Sequence, residues 1–193
     1  MHVAGGRAIR DYFLSGATCY TGRRWLRMRR DDATQPSAAE FVARLKASRE
    51  ALMDAIAGLD EEGFRTRPDA SAWSIAEVLA HLFATERILV ERARAALTQE
   101  GFIATPRTEA ARQEDARLAQ RLPVLQILHA LLAQRRDTIR LLEGRSAPEL
   151  AQSFHPQQGE RTVGWLFQRA AEHEDEHAQQ VRALRGSVPA EAP

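Results

Sequence analysis

The chain has 193 residues and a mass of 21.6 kDa, with 44% hydrophobic and 27% charged residues. That suits one globular domain and excludes a chain disordered throughout; no run of about 18 apolar residues is present to span a membrane. Lys+Arg is 27 and Asp+Glu is 26, a formal charge of +1, and so even a balance gives no global reason to expect nucleic acid or an anionic membrane as a partner.

Residues 1–35 differ from the rest. Arg7, Arg10, Arg23, Arg24, Arg27, Arg29 and Arg30 face a single acid, Asp11, before Asp31 and Asp32. No apolar run follows, so the segment is not a secretory signal. It reads as a poorly packed basic extension, with Met28 as an alternative start; a basic nucleic-acid arm is the lesser reading. The lone cysteine, Cys19, excludes a disulfide framework and a cysteine zinc site, and suits a reducing compartment such as the cytoplasm. Lys46 is the only lysine among many arginines and alanines, a codon bias that points to a bacterium.

Four long helices follow. Ser37 and Glu40 form a capping box, and Phe41, Val42, Leu45, Leu52, Ile56 and Leu59 recur at helical spacing up to Gly58–Asp60. Ser74 and Glu77 repeat the signature, opening a helix over about 75–98 with Ile75, Val78, Leu79, Leu82, Phe83, Leu89 and Val90 inward. Pro123 suits the first turn of a third helix, whose stripe is Val124, Leu125, Leu128, Leu131, Leu132, Ile139 and Leu142, with Gly144 as its stop. The fourth runs from Thr162 to Gly186 with Val163, Leu166, Phe167, Ala170, Val181 and Leu184 inward. Short helical pieces are expected near 108–119 and 147–153. No segment alternates with period 2, so strands are not expected.

Four amphipathic helices can bury their faces only against one another, which predicts an all-α four-helix bundle over residues 36–186, with 187–193 as a tail. The longest connection, about 99–122, can run back along the bundle. That favours an up-down-down-up order, with short extra helices in the connections.

Six histidines are present: His2, His81, His129, His155, His173 and His177. His2, His129 and His155 read as solvent-facing or structural. His173 and His177 are one helical turn apart within an apolar stripe, and buried imidazoles need partners. One divalent ion would satisfy both, and His81 falls in the apolar arc of its own helix. His81 lies about 9 Å from the start of its helix, and His177 and His173 about 12 and 18 Å from the end of theirs, so antiparallel helices would bring all three to one level. A polar network of carboxylates and carbonyls around core histidines is the alternative. The run 173–177 also fits H-E-x-x-H, but a zincin needs a sheet and a downstream ligand, and Ala183 occupies the metzincin position. Glu174 as a general base toward a water on the ion is a fold-independent remnant of that reading. Glu86 and Arg135 both project into apolar faces, either as a buried ion pair or with Arg135 as a clamp for a substrate carboxylate. Trp165 lies off its stripe and suits a bundle cap or an interface.

The run Trp73-Ser74-Ile75-Ala76-Glu77-Val78-Leu79-Ala80-His81-Leu82, with Glu86-Arg87 after it, resembles the second-helix motif of the DinB-like superfamily of four-helix-bundle metalloenzymes, related to the YfiT-type hydrolases. Thr162-Val163 and then His173, His177 and Gln180 resemble its closing motif. The resemblance covers about residues 37–186. It implies an up-down-down-up bundle holding a divalent metal on His81, His173 and His177. The family includes hydrolases and transferases that use low-molecular-weight thiols.

Three neutral imidazoles leave the ion an open position, where a water's pKa can fall toward about 7. Zinc and nickel suit imidazole best, and iron is compatible. The expected function is therefore a metal-dependent hydrolase or low-molecular-weight-thiol transferase acting on a small molecule. The alternative is a non-catalytic stress-response or binding bundle with a structural metal or none. Neither a nucleic acid nor a membrane is expected as a partner, and a homodimer is the default assembly.

Overall fold

The computed structural model describes residues 36–156 and 159–187. The expectations for residues 1–35, including His2, and for the tail beyond residue 187 lie outside them. Four long helices form the bundle: α1 (Ala38–Ile56), α3 (Ile75–Thr98), α5 (Val124–Leu142) and α7 (Val163–Ser187). Between them lie α2 (Glu61–Arg65), α4 (Glu109–Arg121) and α6 (Ala147–Ala151). Both expected capping boxes form, each serine accepting from the backbone N–H three residues on while the glutamate reaches back. Gly58 and Gly144, at φ 77° and 79°, end α1 and α5 in the left-handed conformation that a side chain would resist. Pro123 sits at the N-cap of α5 and supplies no side-chain cap bond.

The cross-bundle contacts give the topology. On α1 and α7, Phe41 meets Phe167, Arg49 meets Glu174, and Arg185 reaches the Ala55 carbonyl, so the two helices are parallel. On α3 and α7, His81 meets His173, while Gln152, just before β2 and bonded to Val163, donates to the Ala96 carbonyl; these helices are antiparallel. On α1 and α5, Arg49 reaches Leu131 and Arg135 reaches Leu45, again antiparallel. The order is up-down-down-up, with α3 and α5 parallel across the long connection.

Short strands are present where none was expected. β1 (Ile103–Ala104) pairs in parallel with β2 (Ser153–Pro156), which pairs antiparallel with β3 (Arg161–Thr162). Segments of two to four residues are too short to show a period, and long-range pairing specifies them. They join one apolar layer, where Ala104 and Phe154 pack with Phe41, Leu45, Phe167 and Leu142. The predicted stripe of α5 is also corrected: Leu125 and Leu132 are 69% and 39% exposed, whereas Ile127 is buried. Val124, Ile127, Leu131, Arg135, Thr138 and Leu142 form the inward face, so this helix is rotated toward its polar residues. The half-buried Trp165 lies near the start of α7 with the Arg161 guanidinium 5.5 Å over its ring.

Residues 69–72 form a separate small turn. There the Asp69 carboxylate accepts from the backbone N–H groups of Ser71 and Ala72 at 2.8 and 2.9 Å. No helix among the described residues is long and apolar enough to cross a membrane.

Candidate metal centre

The capping box at Ser74 fixes where α3 begins, and so sets His81 on the second turn of its inward face. Antiparallel packing brings it level with His173 and His177 of α7. All three are buried, at 7%, 6% and 9% exposure. Their Nε2 atoms converge: His173 Nε2 lies 3.3 Å from that of His81 and 3.1 Å from that of His177. The Trp73 ring meets His81 edge-on at 5.1 Å.

The outer nitrogens are already engaged. His81 Nδ1 donates to Asp115 Oδ2 over a long 3.4 Å, and His177 Nδ1 donates to Gln180 Oε1 at 2.6 Å. Both rings therefore carry their proton on Nδ1 and a lone pair on Nε2. His173 Nε2 has one proton at most, so a hydrogen bond could settle only one of the two N···N contacts. Burial, followed by the neighbouring imidazoles, holds His173 well below the ordinary histidine range. Burial, and then His81, lowers His177 to about 3, against the opposing bond to Gln180. Three ring nitrogens converging on one point, two of them on rings that burial disfavours charging, suit a cation. An ion with about 2.0–2.1 Å Zn–N bonds in a tetrahedron has N···N edges of about 3.3–3.4 Å, close to the spacing found here. The residues present fit a divalent metal, and His81, His173 and His177 would hold it.

A second polar cluster adjoins the first. Glu174 accepts from Ser48 Oγ at 2.6 Å and Arg49 Nε at 2.6 Å, and pairs with Arg135 Nη2 at 2.8 Å. Glu86 accepts from Arg135 Nε and Thr138 Oγ1, each at 2.7 Å, and from Arg49 Nη2 at 3.1 Å. Arg49 Nη1 is taken by the Leu131 carbonyl at 2.7 Å, and Arg135 Nη1 by the Leu45 carbonyl and Ser48. Burial pulls Arg49 below the usual arginine value. For Arg135 burial acts the same way, but Glu86 and Glu174 outweigh it and the shift is upward.

This geometry decides several sequence readings. Glu174 is spent on Ser48, Arg49 and Arg135, so it is no general base, and a helical bundle is no zincin. Arg135 is an ion-pair partner of Glu86 with every nitrogen engaged, so the carboxylate-clamp reading falls. His129 and His155 are exposed, on α5 and β2. The sequence reading missed Arg49 and Asp115. Asp115 carried one signal: with Leu118, Ala119 and Leu122 it lies on the single apolar stripe of α4, where a lone carboxylate needs a partner.

Fold and site thus define a class: a helical bundle that gathers three imidazoles from two antiparallel helices. The sequence profile described as the DinB superfamily matches residues 44–181. The chain belongs to the DinB superfamily. Among solved structures it is similar to YfiT from Bacillus subtilis, described as a probable metal-dependent hydrolase with an unusual four-helix bundle topology. The TM-score is 0.65 at 15% identity, covering 82% of this chain and 92% of that one. It is also similar to the colibactin self-resistance protein ClbS, solved in complex with double-stranded DNA. There the TM-score is 0.63 at 15% identity, over 78% and 96% of the two chains. No curated protein matches the chain.

The second likeness corrects one expectation. A protein of this fold has been solved on duplex DNA, so the balanced charge of this chain does not exclude nucleic acid as a partner. Net charge averages over the surface, whereas a nucleic-acid footprint is set by how charge is distributed.

Proposed function

We propose that the chain is a metal-dependent hydrolase whose divalent ion, zinc or nickel in the first instance, is held by His81, His173 and His177. The observation that carries this is the convergence of the three Nε2 atoms of His81, His173 and His177, with burial holding the His173 and His177 rings below the ordinary histidine range. When bound, the ion supplies Lewis-acid activation of a water or a thiol at an open coordination position. The chain's own residues prepare that position. Neutral imidazoles leave the cation its full charge. Asp115 and Gln180 hold the outer Nδ1 protons of His81 and His177, so both rings present Nε2. Trp73 covers one edge of His81. Glu174, locked to the two arginines, adds no negative charge to the position. The single cysteine accords with a reducing compartment, and a bacterial cytoplasm is the location we assign.

The test is metal content by elemental analysis of untagged, chelator-free protein, beside His81→Ala and His177→Ala. Near one ion per chain, lost in both variants, is the expected result. Hydrolysis of an ester and amide panel without added thiol supports the hydrolase reading. Turnover only with a low-molecular-weight thiol replaces it with thiol transfer. A wild-type chain that stays metal-free after incubation with zinc, nickel and iron leaves a non-catalytic bundle with a histidine network.

A further inference from the structure

We infer that Asp115, anchored by Arg107, is a positioning residue for the imidazole centre, so that the long α3–α5 connection is a working part of the site. The inference rests on the three-histidine reading and extends it to residues that hold no ion themselves.

The connection leaves α3, forms β1 and returns along α3 as α4. That return sets Asp115 beside His81, 34 residues earlier in the chain, at 3.4 Å. Asp115 is 7% exposed, an uncommon burial for a carboxylate without a duty. The same Oδ2 that faces His81 also takes Arg107 Nη2 in an ion pair. Arg107 is in turn fixed by the Thr85 hydroxyl and the Ala111 carbonyl, each at 3.2 Å. Thr85 lies four residues after His81, one turn along the same face of α3. A closed circuit therefore runs from His81 to Asp115, Arg107 and Thr85, and back along one helix turn.

Such a circuit does two things to an imidazole. A carboxylate can only accept, so it fixes the proton on His81 Nδ1 and leaves the Nε2 lone pair pointing inward. It also stops rotation of the ring and raises its basicity as a ligand. Arg107 holds Asp115 in place by pairing with it, because an unpaired buried carboxylate would be costly. Of the three histidines, His173 and His177 share one helix and hold each other in register. His81 comes from another helix, so its aim depends on such a brace.

The experiment uses the full chain. Zinc affinity is measured by competition with a chromophoric chelator, the cobalt(II) d–d spectrum reports ligand geometry, and the thermal midpoint of the metal-free protein reports stability. Asp115→Ala is expected to weaken zinc by about 10–100-fold and to change the cobalt spectrum. Asp115→Asn keeps an acceptor oxygen and should restore most of that loss. Arg107→Met leaves Asp115 without its anchor and should weaken zinc by about 3–10-fold. It also decides the question if Asp115→Ala fails to fold. Glu114→Ala, which removes the exposed neighbour paired with Arg117 and Arg121 on the same helix, should leave zinc affinity unchanged. Zinc affinity and cobalt spectrum like wild type in the folded Asp115 and Arg107 variants, with only a lower midpoint, would overturn the inference while the metal reading stands. If the wild-type chain takes up neither zinc nor cobalt, both fall together.

Discussion

The bundle buries two polar clusters side by side, and consecutive residues, His173 and Glu174, belong one to each. The arginine–glutamate cluster is complete: two cations face two carboxylates, and the donors of Arg49, Arg135, Ser48 and Thr138 find acceptors. The histidine cluster is incomplete by itself, because its inward nitrogens have more lone pairs than protons. Burial alone therefore does not mark function. A polar cluster satisfied by the chain is architecture, and one satisfied only by something added is a site.

The comparison can be tested by breaking each side. The largest effect is expected for His177→Ala, which removes one of the three proposed ligands. Bound zinc should fall from near one to below about 0.1 per chain by elemental analysis, with helicity kept. Retained zinc would place the ion elsewhere. Next, Arg135→Met strands Glu86 and Glu174 in the core. Urea unfolding should show a loss of about 3–5 kcal/mol, while zinc still binds any chain that remains folded. Replacing Arg49, Glu86, Arg135 and Glu174 together by apolar residues of similar volume should cost far less than that single change. A larger cost would mean that the cluster does more than fill the core.

The pH response sharpens the contrast further. Folded His173 and His177 lie below the ordinary value of 6.5, His177 at about 3. Between these values the unfolded chain binds more protons than the folded one. The stability of the metal-free protein is thus fully present above about pH 6.5 and falls as pH drops toward 3. Urea midpoints across that range should decline, and less steeply in His177→Ala; a flat profile in the wild type would contradict the neutral-imidazole assignment. The smallest effect is expected outside both clusters, where Leu125→Ser, at a side chain 69% exposed, should stay within about 0.5 kcal/mol by thermal melting.

Local chemistry explains what the sequence made readable. Serine–glutamate caps and wide apolar stripes located the long helices, with α3 found at 75–98 as expected. The i,i+4 spacing put His173 and His177 on one face before any fold was known. What escaped was long-range. β2 exists because it finds β1 and β3, in register pairs Ile103–His155 and Ser153–Thr162 that lie 52 and 9 residues apart in the chain. Leu125 was assigned inward because leucine there keeps the spacing, yet Arg135 and Thr138 claim the inner face once Glu86 lies opposite. Asp115 sits in a helix crowded with charge, where its place on the weak apolar stripe is the one local mark that separates it from the exposed Glu114; its partners, His81 and Arg107, emerge only in the fold.

The parallel pairing of α1 and α7 has a practical consequence. The imidazoles sit midway along α7: His173 follows Val163 by ten residues and His177 precedes Ser187 by ten, about 15 Å of helix on either side. Because Phe41 is level with Phe167 and Ala55 with Arg185, the helical core begins at one end of the bundle and finishes at the other, at similar distances from the three rings. A polyhistidine tag would therefore bring competing imidazoles equally near from either attachment point, and untagged protein is the sample for any metal measurement.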